Sequence, residues 1–141
     1  MRSSLLCLFS SAAALLLPVP AARAADPSGD EYFEKEVRPL LAAHCLKCHG
    51  DTKPKGDLKL TSRAHLLQGG ESGPAVTVGK PDQSLLIQAV RYADTPRMPP
   101  RRKLSDRDVA VLTRWVQRGL PWPETGGQVV ATPGKGPPFL I

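Results

Sequence analysis

Residues 45–49 read Cys-Leu-Lys-Cys-His. On one helical turn, residues i and i+3 point to the same side. Two thiols so placed can reach the two vinyl groups on neighbouring edges of one haem ring. The histidine that follows then lies under the iron and can serve as its proximal ligand. The pattern is the attachment signature of c-type haem, and it assigns Cys45 and Cys48 to thioethers and His49 to the iron. Three other chemistries use the same residue types. A redox dithiol needs a strand–helix–strand frame, and no convincing strands flank this one. Zinc could use Cys45, Cys48, His49 and either His44 or His65, but adjacent Cys48 and His49 do not easily reach one tetrahedral ion. A plain disulfide between Cys45 and Cys48 is the third.

The ring and His49 fill five of the iron's six positions, so function turns on the sixth. The chain has two methionines, and Met98 stands in the run Arg97-Met98-Pro99-Pro100. A thioether on a proline-stiffened loop is the expected distal ligand of an electron-transfer centre, and methionine ligation raises the reduction potential. The plain alternative, a core methionine, fits poorly with a proline-bounded site outside any helix. His65 is the rival sixth ligand. His44 is a weaker one, because it directly precedes Cys45 and points away from the iron. An open sixth position would instead imply ligand binding or peroxide chemistry.

His49 should donate its second ring N–H to a backbone carbonyl, which fixes the ring and raises its basicity. The loop from Thr52 to Gly56 is the expected source. Arg91, Arg97, Arg101, Arg102 and Lys103 surround Met98 in sequence. One or two could pair with a haem propionate, and the rest are expected in solvent. Such a rim could also steer an acidic redox protein partner. Nucleic acid is not indicated, since the basic residues lack interleaved aromatics. No general base or nucleophile is assembled, so the chain does not read as an enzyme.

These residues need elements to position them. Within 31–44, Phe33, Val37, Leu40, Leu41 and His44 recur at helical spacing, with a kink or restart expected at Pro39. Leu58 and Leu60 alternate with lysines as in a short strand, and Ala64–Leu67 can form one helical turn. A second helix is expected over Asp82–Arg91, started by Pro81. The third is the clearest: Ser105 caps it, and Asp108 completes a capping-box-like pair. Val109, Leu112 and Val116 form its apolar stripe, with Val111 and Trp115 beside it, and Gly119 and Pro121 stop it. The expected fold is all-α, with about three main helices and long loops around one covalent haem.

The ends of the chain read differently. Arg2, an apolar run of about 13 residues from Leu5 to Leu17, and Ala22-Arg23-Ala24 form a secretory signal with cleavage expected after Ala24. The run falls short of the roughly 20 residues a membrane helix needs, so membrane association is not indicated. The chain has 141 residues, a net charge of +6 and three cysteines. Cleavage removes Cys7, so the odd cysteine leaves with the signal. It also removes Arg2 and Arg23 and no acid. The 15 prolines and 12 glycines and the 5% aromatic content suit a loop-rich protein with a cofactor in its core. The organisation is thus a signal at 1–24, a polar lead at 25–30, a domain at 31–122 and a Pro/Gly-rich tail at 123–141. Export to the periplasm or another extracytoplasmic space agrees with haem attachment, which occurs outside the cytoplasm.

Several stretches together resemble class I cytochrome c, and more narrowly the planctomycete-type cytochrome c domain. They are FEKEVRPLLAAHCLKCHG, GGESGPAV, GKPDQSLLIQAVRY, the MPP at 98–100 and KLSDRDVAVLTRWVQRGLPWP. The resemblance covers residues 33–123. It implies helices wrapped around one covalent haem c, thioethers at Cys45 and Cys48, His49 as proximal ligand and Met98 as distal ligand. It also implies that the helix at 33–44 packs on the helix at 106–118, where Phe33, Val37, Leu112 and Trp115 meet. Such domains often stand at the front of much longer proteins, so the chain reads as a free-standing carrier or a shortened relative. Thr77-Val78 depart from the usual loop before Gly79. The expectation is an exported monohaem cytochrome that moves one electron at a time. The alternatives are a haem enzyme or sensor with an open or His65-ligated sixth position, and a non-haem module built on Cys45 and Cys48.

Overall fold

The structure, a computed structural model, describes residues 28–123. The signal at 1–24, the first half of the polar lead and the tail beyond residue 123 lie outside the described residues. The architecture is all-α, and among the described residues no strand forms. None of the described helices is long and apolar enough to cross a membrane.

Helix α1 (Gly29–Tyr32) starts at Ser28, whose side chain accepts from the Glu31 N–H. Asp30 and Glu31 complement the positive end of the helix dipole. The rod continues through a π-helical turn, Phe33–Val37, into α2 (Arg38–His44). In that turn the Arg38 N–H bonds the Phe33 carbonyl, one residue further back than in an α-helix. Pro39 follows at once and has no N–H to give. The kink expected at Pro39 is therefore a π-turn just before it, which absorbs the missing donor without ending the rod.

Cys45 ends α2 and opens the single turn α3 (Leu46–His49). Ser62 caps α4 (Arg63–Gln68). Between α3 and α4 the expected strand at Leu58 and Leu60 is absent; a 3-10 turn, Lys55–Asp57, leads into an irregular strap. The second long helix is shorter than expected. Residues Pro81–Gln83 form a 3-10 turn and α5 spans Leu85–Arg91. Ser84 separates them because its buried hydroxyl serves another loop, accepting from the Thr77 N–H and lying 2.9 Å from the Lys80 carbonyl.

Helix α6 (Asp106–Gln117) follows the expected pattern, with Ser105 accepting from the Asp108 N–H. Gly119 at φ 89° and Leu120 at φ 59° turn the chain back. The first rod crosses α6 as the family resemblance implied. Phe33, Val37, Leu112 and Trp115 are all fully buried, and the Phe33 and Trp115 rings lie 5.9 Å apart. Trp122, not foreseen in this cluster, sits closer still, 4.3 Å from Phe33. Tyr32 adds a hydrogen bond to the Val111 carbonyl. The start of α1 lies against Pro121, so near that a Cβ on Gly29 would come within 2.7 Å of it. The two ends of the domain thus close on each other, and the segment between them is free to build a site.

Candidate functional site

Four of the sequence-selected residues meet in one place. Cys45, Cys48, His49 and Met98 all line a cavity of about 350 Å³. Its other walls are mostly apolar, with Leu58, Leu60 and Ala75 from the loops and Leu86, Ala89 and Val90 from α5. Small-molecule and cofactor sites of this kind run from about 300 to 1,000 Å³.

The Cys45–His49 segment is one helical turn, held by Cys48 and His49 N–H groups on the Cys45 carbonyl at 3.1 and 2.9 Å. That geometry carries both thiols into the cavity while Leu46 is buried in the core. Neither cysteine is in a disulfide. Burial pushes the Cys45 thiol up to about 12, and the neighbouring Cys48 adds to the effect. Such a thiol stays neutral at ordinary pH, the opposite of the depressed thiolate that redox dithiols use. Among the described residues no three His, Cys, Asp or Glu side chains converge on an ion position, so the zinc alternative has no ligand set here.

His49 Nδ1 lies 3.0 Å from the Leu58 carbonyl oxygen. A carbonyl only accepts, so Nδ1 is the donor, which leaves Nε2 as the nitrogen that can offer a lone pair. The ring is thereby prepared as a metal ligand. The carbonyl comes from Leu58, not from Thr52–Gly56 as expected. The reason is the turn at Gly56, φ 62°, which sends the chain back so that the Leu60 N–H also bonds the His49 carbonyl at 2.8 Å. The alternation of Leu58 and Leu60 is real, but it marks a strap lying along α3 and lining the cavity. Gly70 packs closely against that strap. A Cβ there would lie 2.3 Å from the Gly56 oxygen and 2.9 Å from the Leu58 nitrogen.

Met98 reaches the cavity on a loop hung from α5. Its N–H bonds the Ala89 carbonyl at 3.0 Å. The Tyr92 hydroxyl donates to the Pro99 carbonyl. Sequence reasoning named Met98 but missed Tyr92, whose only signal is its place just past the end of a helix.

The rival histidines are placed differently. His44 is an exposed residue at the cavity wall. His65 does not line this cavity; it borders a separate polar hollow with Asp57 and Lys59. Its Nδ1 lies 2.9 Å from the Thr61 hydroxyl, which donates to Asp51 at 3.0 Å. The expected His65-ligated alternative is thus not supported by this arrangement, because the cap from Ser62 fixes α4 with His65 turned to that hollow. Among the basic residues around Met98, Arg91 pairs with Asp82 at 2.6 Å. Arg97, Arg101, Arg102 and Lys103 are exposed, and none of them lines the cavity. The cavity wall does include Lys55, which the sequence reading did not single out.

Two thiols a helical turn apart, an imidazole whose Nδ1 is held by a carbonyl, a thioether and apolar walls make a donor set that fits a covalently held haem. Residues 45–102 match the model for planctomycete cytochrome C. No curated protein matches the chain, and no solved structure does.

Proposed function

We propose that this chain, whose residues 45–102 match the model for planctomycete cytochrome C, is an exported one-electron carrier with one haem c held between His49 and Met98. The observation that carries the reading is the convergence of Cys45, Cys48, His49 and Met98 on one apolar cavity. When bound, the haem supplies an iron centre that alternates between the ferric and ferrous states.

The chain's own residues do the rest. Cys45 and Cys48 tether the group through thioethers. His49 offers the Nε2 lone pair, and its bond to the Leu58 carbonyl makes the ring a stronger donor. Met98 offers a thioether sulfur, which favours the reduced state and raises the potential. Leu58, Leu60, Leu86 and Val90 keep water from the centre. Lys55, on the cavity wall, would offer its ammonium to a propionate carboxylate. The exposed Arg97, Arg101, Arg102 and Lys103 would steer an acidic redox protein toward this face. In this reading residues 1–24 direct export and are removed, 31–122 are the carrier domain and 123–141 are a tail.

The test is expression with a haem-attachment system. The expected product keeps its haem spectrum after denaturation, and a colourless protein refutes the reading. The ferric protein should show the weak far-red charge-transfer band of methionine ligation. Met98→Ala should abolish that band and His65→Ala should retain it; a band that survives in Met98→Ala removes Met98 from the sixth position.

A further inference from the structure

Residues 93–97 and 100–103, on either side of Met98, are exposed. Among the described residues, the hydrogen bonds that hold this stretch to the rest of the domain end on α5 or just past it. The Ala93 N–H reaches the Gln88 carbonyl at 3.4 Å, and the Met98 N–H reaches the Ala89 carbonyl at 3.0 Å. Among the described residues the one side-chain bond to the stretch is the Tyr92 hydroxyl on the Pro99 carbonyl.

Tyr92 is also unusual in its backbone. It caps α5 at φ 62°, in the left-handed region. Glycine, or at times asparagine, takes that position at most helix ends of this type, because a Cβ is disfavoured there. A large side chain at such a site points to a use for the side chain. Here the left-handed turn throws the chain away from α5, and the tyrosine side chain catches it again beyond Met98.

We propose that Tyr92 is a positioning residue that sets how firmly Met98 holds its place in the cavity. This rests on the reading of Met98 as sixth ligand. The loop has a closed state, with Met98 inside, and an open state in which an outside ligand can enter. An entering ligand competes only with the open fraction, so its apparent affinity reports that fraction directly. Removing one hydroxyl that bonds only in the closed state should raise the open fraction roughly 2- to 10-fold.

The experiment is imidazole titration of the ferric, haem-loaded protein, followed by its absorption spectrum. The wild type, Tyr92→Phe, Tyr32→Phe and Met98→Ala are compared. Tyr32 is the control because its hydroxyl also bonds a backbone carbonyl, that of Val111, but ties α1 to α6. The expected result is imidazole binding roughly 2- to 10-fold tighter in Tyr92→Phe, unchanged in Tyr32→Phe, and tightest in Met98→Ala. Equal binding in Tyr92→Phe and wild type, with Met98→Ala still much tighter, overturns the role of Tyr92 and leaves Met98 as ligand. An equal shift in both tyrosine variants also overturns it, since the effect is then general loosening. Wild-type binding as tight as that of Met98→Ala overturns the ligand assignment and this inference with it. Amide exchange gives a second measurement if Tyr92→Phe is less stable overall. The Met98 N–H should exchange faster relative to the Leu112 N–H in α6, and an unchanged ratio refutes the proposal.

Discussion

Gly70→Ala should damage the site through the strap and not through the backbone of residue 70. Gly70 does not have a positive φ, so alanine can adopt its conformation. The added Cβ would lie 2.3 Å from the Gly56 oxygen and 2.9 Å from both the Leu58 nitrogen and its Cβ. Relief to ordinary contact requires the strap to move by about 1 Å. The His49 Nδ1 to Leu58 oxygen bond is 3.0 Å and does not survive a shift of that size directed along it. Overpacking of this kind costs about 1–3 kcal/mol. A lost hydrogen bond adds about 0.5–1.5 kcal/mol. The reduced freedom of the unfolded alanine chain returns about 0.4–1 kcal/mol. The net expectation is a loss of roughly 0.5–4 kcal/mol. It should come with a higher reduction potential, because a His49 ring without its carbonyl partner is a weaker donor to the oxidised metal. Urea unfolding and a redox titration read the two effects. Gly56→Ala is the control. It meets nothing within 4 Å but sits at φ 62°, so it should cost stability through its backbone without the same clash on the strap. If Gly70→Ala leaves both stability and potential at wild-type values, the strap does not depend on that contact and the account of His49 orientation fails.

Two further outcomes follow from the packing and the surface. Trp122→Ala should destabilise the domain by about 1–3 kcal/mol, since the half-buried ring lies 4.3 Å from Phe33 and 6.1 Å from Trp115; thermal unfolding that changes little would show that its packing carries no stability. The hydrogen bond from Arg38 holds the Glu34 carboxyl below its ordinary value of 4.5. Its stabilisation is therefore present above pH 4.5 and is lost as pH falls through the lower folded value. The pair is solvent-facing, so Glu34→Gln should flatten that acid limb by less than about 0.5 kcal/mol, and a larger change in pH-dependent urea unfolding would contradict an exposed pair.

What could be read from the sequence divides along a physical line. The cap at Ser105 and the stripe of α6 depend on residues three and four apart, so they are visible locally. The same holds for the turn that places Cys45, Cys48 and His49 together. The interruption at Pro39 was visible too, but its form was not, because a missing donor can be absorbed by a break, a bend or a π-turn. Leu58 and Leu60 show why alternation is a weaker signal than capping. Period-two burial arises wherever an extended segment lies on a core, whether or not a partner strand exists. Here the partner is α3, and the pairing is a single backbone bond to His49 with a ring bond beside it.

The parts hidden from the sequence share one property: they act through backbone carbonyls. Leu58 holds His49, Ala89 holds the Met98 amide, and Pro99 receives Tyr92. Every residue carries the same carbonyl, so no residue type announces which one is used. Side-chain chemistry therefore identifies the atoms that touch a cofactor, while the atoms that aim them are set by where the chain turns. Those turns do leave marks. Gly56 and Tyr92 both adopt left-handed φ, and each stands just ahead of a segment that supplies one wall of the cavity. At Gly56 the residue type fits the turn. At Tyr92 it does not, and the misfit is what distinguishes a turn that only redirects the chain from one whose side chain is needed on the far side of Met98.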